Sequence, residues 1–262
     1  MKRSVLEYQR CCFAFVFGML AVLLYWCPSA SADLVLNPAK PITYQVRVQP
    51  VVISDDDGQN TATFFGSPEQ QREIEASIDA IWAQAGIDVE FLAPVSWNNT
   101  FANWGENGPP DNNGETRPQD DLSQIGDLAS GAGITAPDPI LNMFFSKIAA
   151  GYGKLDENYV AGLAWIDANG SSVFVGQDLL NWGYFDSIAH VIAHEIGHNL
   201  GLDHVDFEEN LMKPSSGGER LTDEQIQTVL NSDFAVPVPI PAAAILLGVG
   251  LAGLAAINRM RG

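Results

Sequence analysis

Residues 194–204 read His-Glu-Ile-Gly-His-Asn-Leu-Gly-Leu-Asp-His. This H-E-x-x-H-x-x-G-x-x-H spacing constrains the fold more than any other stretch of the chain. On a helix of about 3.6 residues per turn, His194 and His198 stand one turn apart on the same face. Gly201 can take the left-handed conformation that ends a helix and reverses the chain. His204 then returns towards the point the first two imidazoles face. Any fold that accepts this stretch must supply a helix, an abrupt turn and a third imidazole around one point.

That arrangement predicts one zinc ion on His194, His198 and His204. Three protein ligands leave a tetrahedral position for water, which marks a catalytic site rather than a closed structural one. Glu195, next to the first ligand, is poorly placed as a third ligand and well placed as a general base. His190 lies one turn before His194 on the same face. Helix rise sets it about 6 Å further along, too far for an ion held at about 2.1 Å, so it reads as a cleft or core histidine.

The two ends of the chain read as sorting signals. Residues 1–32 carry Lys2, Arg3 and Arg10, an apolar run from Cys11 to Cys27, and the small residues Ala30-Ser31-Ala32. That is the layout of a signal peptide cut after Ala32 by signal peptidase; the alternative is an uncleaved membrane anchor. All three cysteines lie inside it, so the exported part has no disulfide framework. Residues 235–262 hold a Pro-rich break, an apolar stretch Ala242–Ile257 and the basic tip Arg259 and Arg261. The apolar stretch is near the lower length for a membrane span, with the basic tip on the cytoplasmic side. Val238-Pro239-Ile240-Pro241-Ala242 resembles the PEP-CTERM sorting signals of Gram-negative bacteria, in the variant that reads Val-Pro-Leu-Pro-Ala. The resemblance implies an exosortase as partner and delivery to the cell surface or extracellular matrix; the alternative is a plain C-terminal membrane anchor.

Residues 33–234 are left as one domain. The chain has 13 Lys+Arg against 32 Asp+Glu, a net charge of −19. The signals hold Lys2, Arg3, Arg10, Arg259 and Arg261 but only Glu7 among the acids, so the domain is more acidic still. Such a surface excludes nucleic acid as a partner. It suits solubility outside the cell, and it also suits cationic substrates.

The segment Ile42–Ser54 reads as a strand, and Ser67-Pro68-Glu69-Gln70 opens a helix whose stripe Ile74, Ile78, Ile81 and Trp82 runs to Ala85-Gly86. Ile87–Leu92 is a second strand, completing a βαβ unit. Trp97–Pro137, rich in Gly, Asn and Asp, reads as irregular with some helix near Ser123–Leu128. Asp111–Glu115 and Asp120-Asp121 there could ligate calcium, although the spacing matches no EF-hand and suits turns equally. Ile140–Ile148 is a third strand. Val160–Ile166 and Ser172–Val175 flank Asn169-Gly170 as a hairpin. Asp186 or Ser187 caps a helix that runs through the histidine motif to Leu200, and Thr222-Asp223-Glu224-Gln225 is a capping box opening a final helix to about Leu230.

This order and motif resemble the metzincin zinc metalloproteases. The resemblance spans about 170 residues, from Ile42 to Leu230, though its specific part is short. It implies an α+β fold: a twisted mixed β-sheet with an active-site helix and a C-terminal helix. It also implies a Met-turn at Asn210-Leu211-Met212-Lys213-Pro214, with Met212 as the apolar floor beneath the histidines. Leu-Met-x-Pro gives a matrixin-like flavour. Val205, after the third His, matches none of the main subfamilies, and four histidines are too few for the second, structural zinc of matrixins. The expected activity is peptide-bond hydrolysis, with a protein or peptide substrate lying along an edge strand at Gly162, Leu163 and Ala164. The alternatives are a surface- or matrix-binding protein on the same fold, or a zinc hydrolase of a non-peptide bond.

Overall fold

A computed structural model describes residues 36–106, 118–147, 154–155, 158–159, 161–214 and 218–238. The proposed signal peptide, nearly all of the C-terminal signal, Val160 and the Asp111–Glu115 cluster lie outside these residues. Among the described residues, no helix is long and apolar enough to cross a membrane.

The alternating β-formers of the first strand become β1 (Tyr44–Ser54), the longest strand of the sheet. Ser67 caps α1 (Pro68–Trp82) with the reciprocal capping box to Gln70 and Pro68 in the first turn. Gly86, at φ +72°, ends the following turn and directs the chain into β2 (Ile87–Phe91), parallel to β1. The expected βαβ unit is present. Ile74, Ile78, Ile81 and Trp82 are fully buried, each contributing about 1.5–3 kcal/mol.

The stretch expected to be irregular contains more structure. Val95–Asn98 is β3, which runs parallel to the far half of β1, where β2 has already ended. Asn99 then caps a short α2 (Thr100–Trp104), accepting from the Ala102 amide. The helix expected near Ser123–Leu128 extends over Pro118–Gly131 as α3. After it come β4 (Leu141–Phe145), a small antiparallel pair β5 (Lys154–Leu155) and β6 (Asn158–Tyr159), and the expected hairpin β7 (Gly162–Ala164) with β8 (Ser171–Val173). A short α4 (Gln177–Trp182) precedes the motif helix α5 (Phe185–Asn199). That helix begins at Tyr184 without a side-chain cap, earlier than Asp186 or Ser187. Asp186 is engaged elsewhere: its Oδ1 accepts from Ser77 Oγ at 2.8 Å and joins α5 to α1. Thr222 caps α6 (Asp223–Leu230) with the predicted box, and β9 (Val236–Pro237) closes against the start of β1.

The sheet runs β2-β1-β4-β8-β7 in space; these strands are parallel except for β7, which is antiparallel to β8 and forms one edge, and β9 lies antiparallel to β1. The fold class is α+β with a twisted mixed sheet, as expected. Val46 and Val48 of β1 point to the face covered by α1 and α5, whereas Val51 and Ile53 point to the face covered by α2 and α3. Each face has its own apolar cluster.

Gln84 holds the ends of the domain together. Fully buried, it donates through Nε2 to Ile81 O (2.7 Å) and Glu219 O (2.6 Å). Its Oε1 accepts from the amides of Asn37 and Leu221, both at 3.2 Å. Gln84→Ala is expected to destabilise the domain by about 2–3 kcal/mol, because buried amides and carbonyls lose partners together. The shift of the urea midpoint against wild type measures it.

Candidate active site

His194 and His198 fall on the buried face of α5 because the helix period aligns them. Gly201 reverses the chain with φ +95°, and His204 arrives on the exposed side. The three Nε2 atoms lie 3.1, 3.1 and 3.2 Å from one another. Tetrahedral coordination at about 2.0–2.1 Å separates two ligand atoms by about 3.3–3.4 Å, so the triangle has the size a zinc ion requires.

The protonation pattern fits as well. His194 Nδ1 is 2.7 Å from Leu211 O, and His198 Nδ1 is 2.8 Å from Leu202 O. A carbonyl only accepts, so both Nδ1 atoms carry the hydrogen and both Nε2 atoms present lone pairs. Burial pushes the His194 imidazole down to about 3 and lowers that of His198, which keeps both rings neutral near pH 7. Converging lone pairs at this distance repel one another unless a cation sits between them. The donor set therefore fits zinc. Among the described residues it is the one His/Cys/Asp/Glu group with converging ligand atoms.

Glu195 is buried, and its Oε2 has no hydrogen-bond partner. Burial pushes its carboxyl up to about 8. A partnerless carboxylate inside a protein is costly, and it is the orphan expected where a reacting molecule supplies the missing donor. Gly162 of β7 lies directly against it: a Cβ on Gly162 would sit 2.5 Å from Glu195 Oε1.

Met212 is fully buried against the motif helix: a Cβ on Gly197 would sit 2.6 Å from its sulfur. The glycine inside the motif is what admits the methionine. Asn210 Oδ1 accepts from the Met212 amide (2.9 Å), and Asn210 and Gln225 exchange side-chain hydrogen bonds at 2.8 and 3.0 Å. His190 stands clear of the triad, its Nδ1 3.6 Å from Glu219 Oε1.

The backbone of β7 alternates. Phe174 N donates to Ala161 O and Trp165 N to Gly170 O, so the odd-numbered residues pair with β8. By the period of a strand, Gly162 and Ala164 present their N–H and C=O groups to the open edge. Leu163 instead turns its side chain into the cluster beneath α3.

Sequence reasoning missed Asn199, which is fully buried at the end of α5. Its Nδ2 lies 3.2, 2.8 and 3.0 Å from the carbonyls of Trp165, Ala168 and Gly170, and Asp167 N donates to His198 O at 2.9 Å. The tip of the β7–β8 hairpin is thereby fastened to the motif helix. The only signal was a polar residue beside the second histidine.

Residues 135–205 match the family model described as metallopeptidase family M12B, reprolysin-like. The match covers about a quarter of the chain, from the approach to β4 through the three histidines. It ends before Leu211-Met212-Lys213-Pro214, the basis of the matrixin likeness. No curated protein matches the sequence. Among solved structures, metalloproteinase-II from Bacteroides fragilis is similar at 16% identity and TM-score 0.45, over 79% of this chain and 58% of that one. A zinc-dependent peptidase from Methanocorpusculum labreanum gives 14% and 0.41, over 68% and 98%. Archaemetzincin from Methanopyrus kandleri gives 12% and 0.38, over 79% and 98%. The chain thus spans under two thirds of the Bacteroides enzyme's length.

Asn199→Ala leaves backbone carbonyls at the hairpin tip without their donor. The expected loss is about 1–3 kcal/mol, read as a lower urea midpoint.

Proposed function

We propose that this protein is an exported zinc-dependent metalloendopeptidase. The observation that carries the reading is the convergence of three imidazole Nε2 atoms beside a buried carboxylate whose Oε2 has no partner, against an open strand edge.

His194, His198 and His204 would hold one zinc ion, with Met212 as the apolar floor. Bound there, zinc supplies Lewis acidity, polarising a carbonyl and acidifying water. The remaining chemistry belongs to the chain's own residues. Leu211 O and Leu202 O fix the tautomers of His194 and His198. A peptide pairs with β7 in extended form and antiparallel sense through the outward backbone groups of Gly162 and Ala164, which aligns it along the cleft. Glu195, whose charged form is favoured by a nearby cation, takes a proton from the attacking water at Oε2 and returns it to the leaving amine. Water and the amide are consumed; a carboxylic acid and an amine are released.

The signal peptide (1–32) and the PEP-CTERM-like tail (235–262) support action outside the cytoplasm, in the cell envelope, at the surface or in the matrix. Signal peptidase and an exosortase are the proposed processing partners, and membrane contact runs through the tail before processing. Calcium is a further candidate ligand through the Asp-rich segment.

Purified full-length chain should carry stoichiometric zinc and cleave casein. Glu195→Gln is expected to keep the zinc while kcat falls by about 10²–10⁴. His198→Ala should lose both zinc and cleavage. Casein cleaved at wild-type rate by Glu195→Gln, or full zinc in His198→Ala, refutes the assignment. Gly162→Ala pushes the carboxylate from its place, so kcat/KM should drop about 100-fold with zinc content unchanged. Metal analysis beside steady-state kinetics reads both quantities.

A further inference from the structure

The β7–β8 hairpin borders a second concavity that the chemistry above does not use. A cavity of about 390 Å³ opens between α3, the loop at Thr135–Asp138 and the hairpin tip. Phe144 and Asn142 form its floor, and Trp165 stands at its rim with 37% of its surface exposed. Among the described residues that line it, Asp127 of α3 and Asp138 carry the two charges and none is basic. Asn169 Nδ2 donates to Asp138 Oδ1 at 2.8 Å and holds that carboxylate in place, while Asp127 is exposed and makes no ion pair with a described residue.

We propose that this cavity is a specificity subsite that takes a basic side chain, Arg or Lys, of the substrate on the N-terminal side of the cleaved bond. The inference rests on the peptidase reading above. Its geometric basis is the strand period. Gly162 lies against Glu195 and so marks the reacting position along β7. Trp165 is three residues further on, about 10 Å along the strand. Antiparallel pairing places the residues preceding the cleaved bond beside it. Leu163 and Trp165 project to the face covered by α3, opposite to Glu195. Every second side chain of a paired peptide projects to that same face, towards the cavity. A guanidinium or ammonium there meets the face of an indole and two carboxylates, in the field of a chain of net charge −19.

The test is a series of quenched fluorogenic peptides in which each residue flanking the cleaved bond is, in turn, Arg, Ala or Glu. The zinc-loaded full chain is compared with Asp127→Lys and with Asp57→Lys, which changes net charge equally at an exposed turn that does not line the cavity. The subsite predicts that wild type prefers Arg over Glu by about five- to tenfold at a position preceding the bond, the scale of one solvated ion pair with a cation–π contact. Asp127→Lys should abolish or reverse that preference; Asp57→Lys should retain it and cleave the Ala peptide at the wild-type rate. Cleavage without the preference, a preference confined to residues after the bond, or equal loss in both variants overturns the subsite and leaves the peptidase reading standing. No cleavage of any peptide by the zinc-loaded wild type overturns both.

Discussion

Three imidazole Nε2 atoms brought within 3.1–3.2 Å of one another form an arrangement that the fold has to impose. The restraint comes from outside the motif. Leu211 O holds the ring of His194 from the loop after the third histidine, and Leu202 O holds that of His198 from the turn itself. The Leu211 loop is in turn fixed by the Asn210–Gln225 pair on α6 and by Met212 seated against Gly197. The C-terminal helix thus acts on the candidate metal centre through one loop, and the apolar core behind it resists collapse of the triad.

The motif helix α5 governs the edge strand. β7 is antiparallel to β8 and stands at one end of the strand order, with no partner among the described residues on its outer edge. An isolated three-residue edge strand is weakly held. Here Asn199 ties its distal turn to the end of α5, while Gly162 lets Glu195 lie flush beneath its start. The separation between carboxylate and strand edge, on which alignment of any paired peptide depends, is set by two small local features rather than by the sheet.

The legible parts of the sequence were those governed by short-range periodicity. His194 and His198 follow from the helix repeat, His204 from Gly201, and both capping boxes from Ser67–Gln70 and Thr222–Gln225. The hairpin followed from Asn169-Gly170 between β-formers. What escaped depended on contacts distant in sequence. β3 exists because β1 outlasts β2 and leaves an edge to fill, which no property of Val95–Asn98 announces. α2 hid in an Asn- and Gly-rich stretch, although Asn99 is a proper cap. The start of α5 was misjudged because Asp186, a good cap by type, bonds Ser77 of α1 instead. Asn199 is the instructive case: its role depends on where a hairpin tip thirty or so residues away comes to rest.

One strand separates two tasks. Side chains of β7 alternate between the face that carries α5, where Gly162 meets Glu195, and the face that carries α3, where Leu163 packs and Trp165 flanks a cavity. The first face admits almost no substitution, since even a methyl group at Gly162 collides with the carboxylate. The second is lined by exposed groups such as Asp127 whose replacement disturbs no buried contact. On the proposed reading, a period of two residues lets bond-breaking and substrate selection occupy opposite sides of one short element. Selection on such a scaffold can change through α3 and the hairpin rim while the histidines, Glu195 and their supporting carbonyls stay fixed.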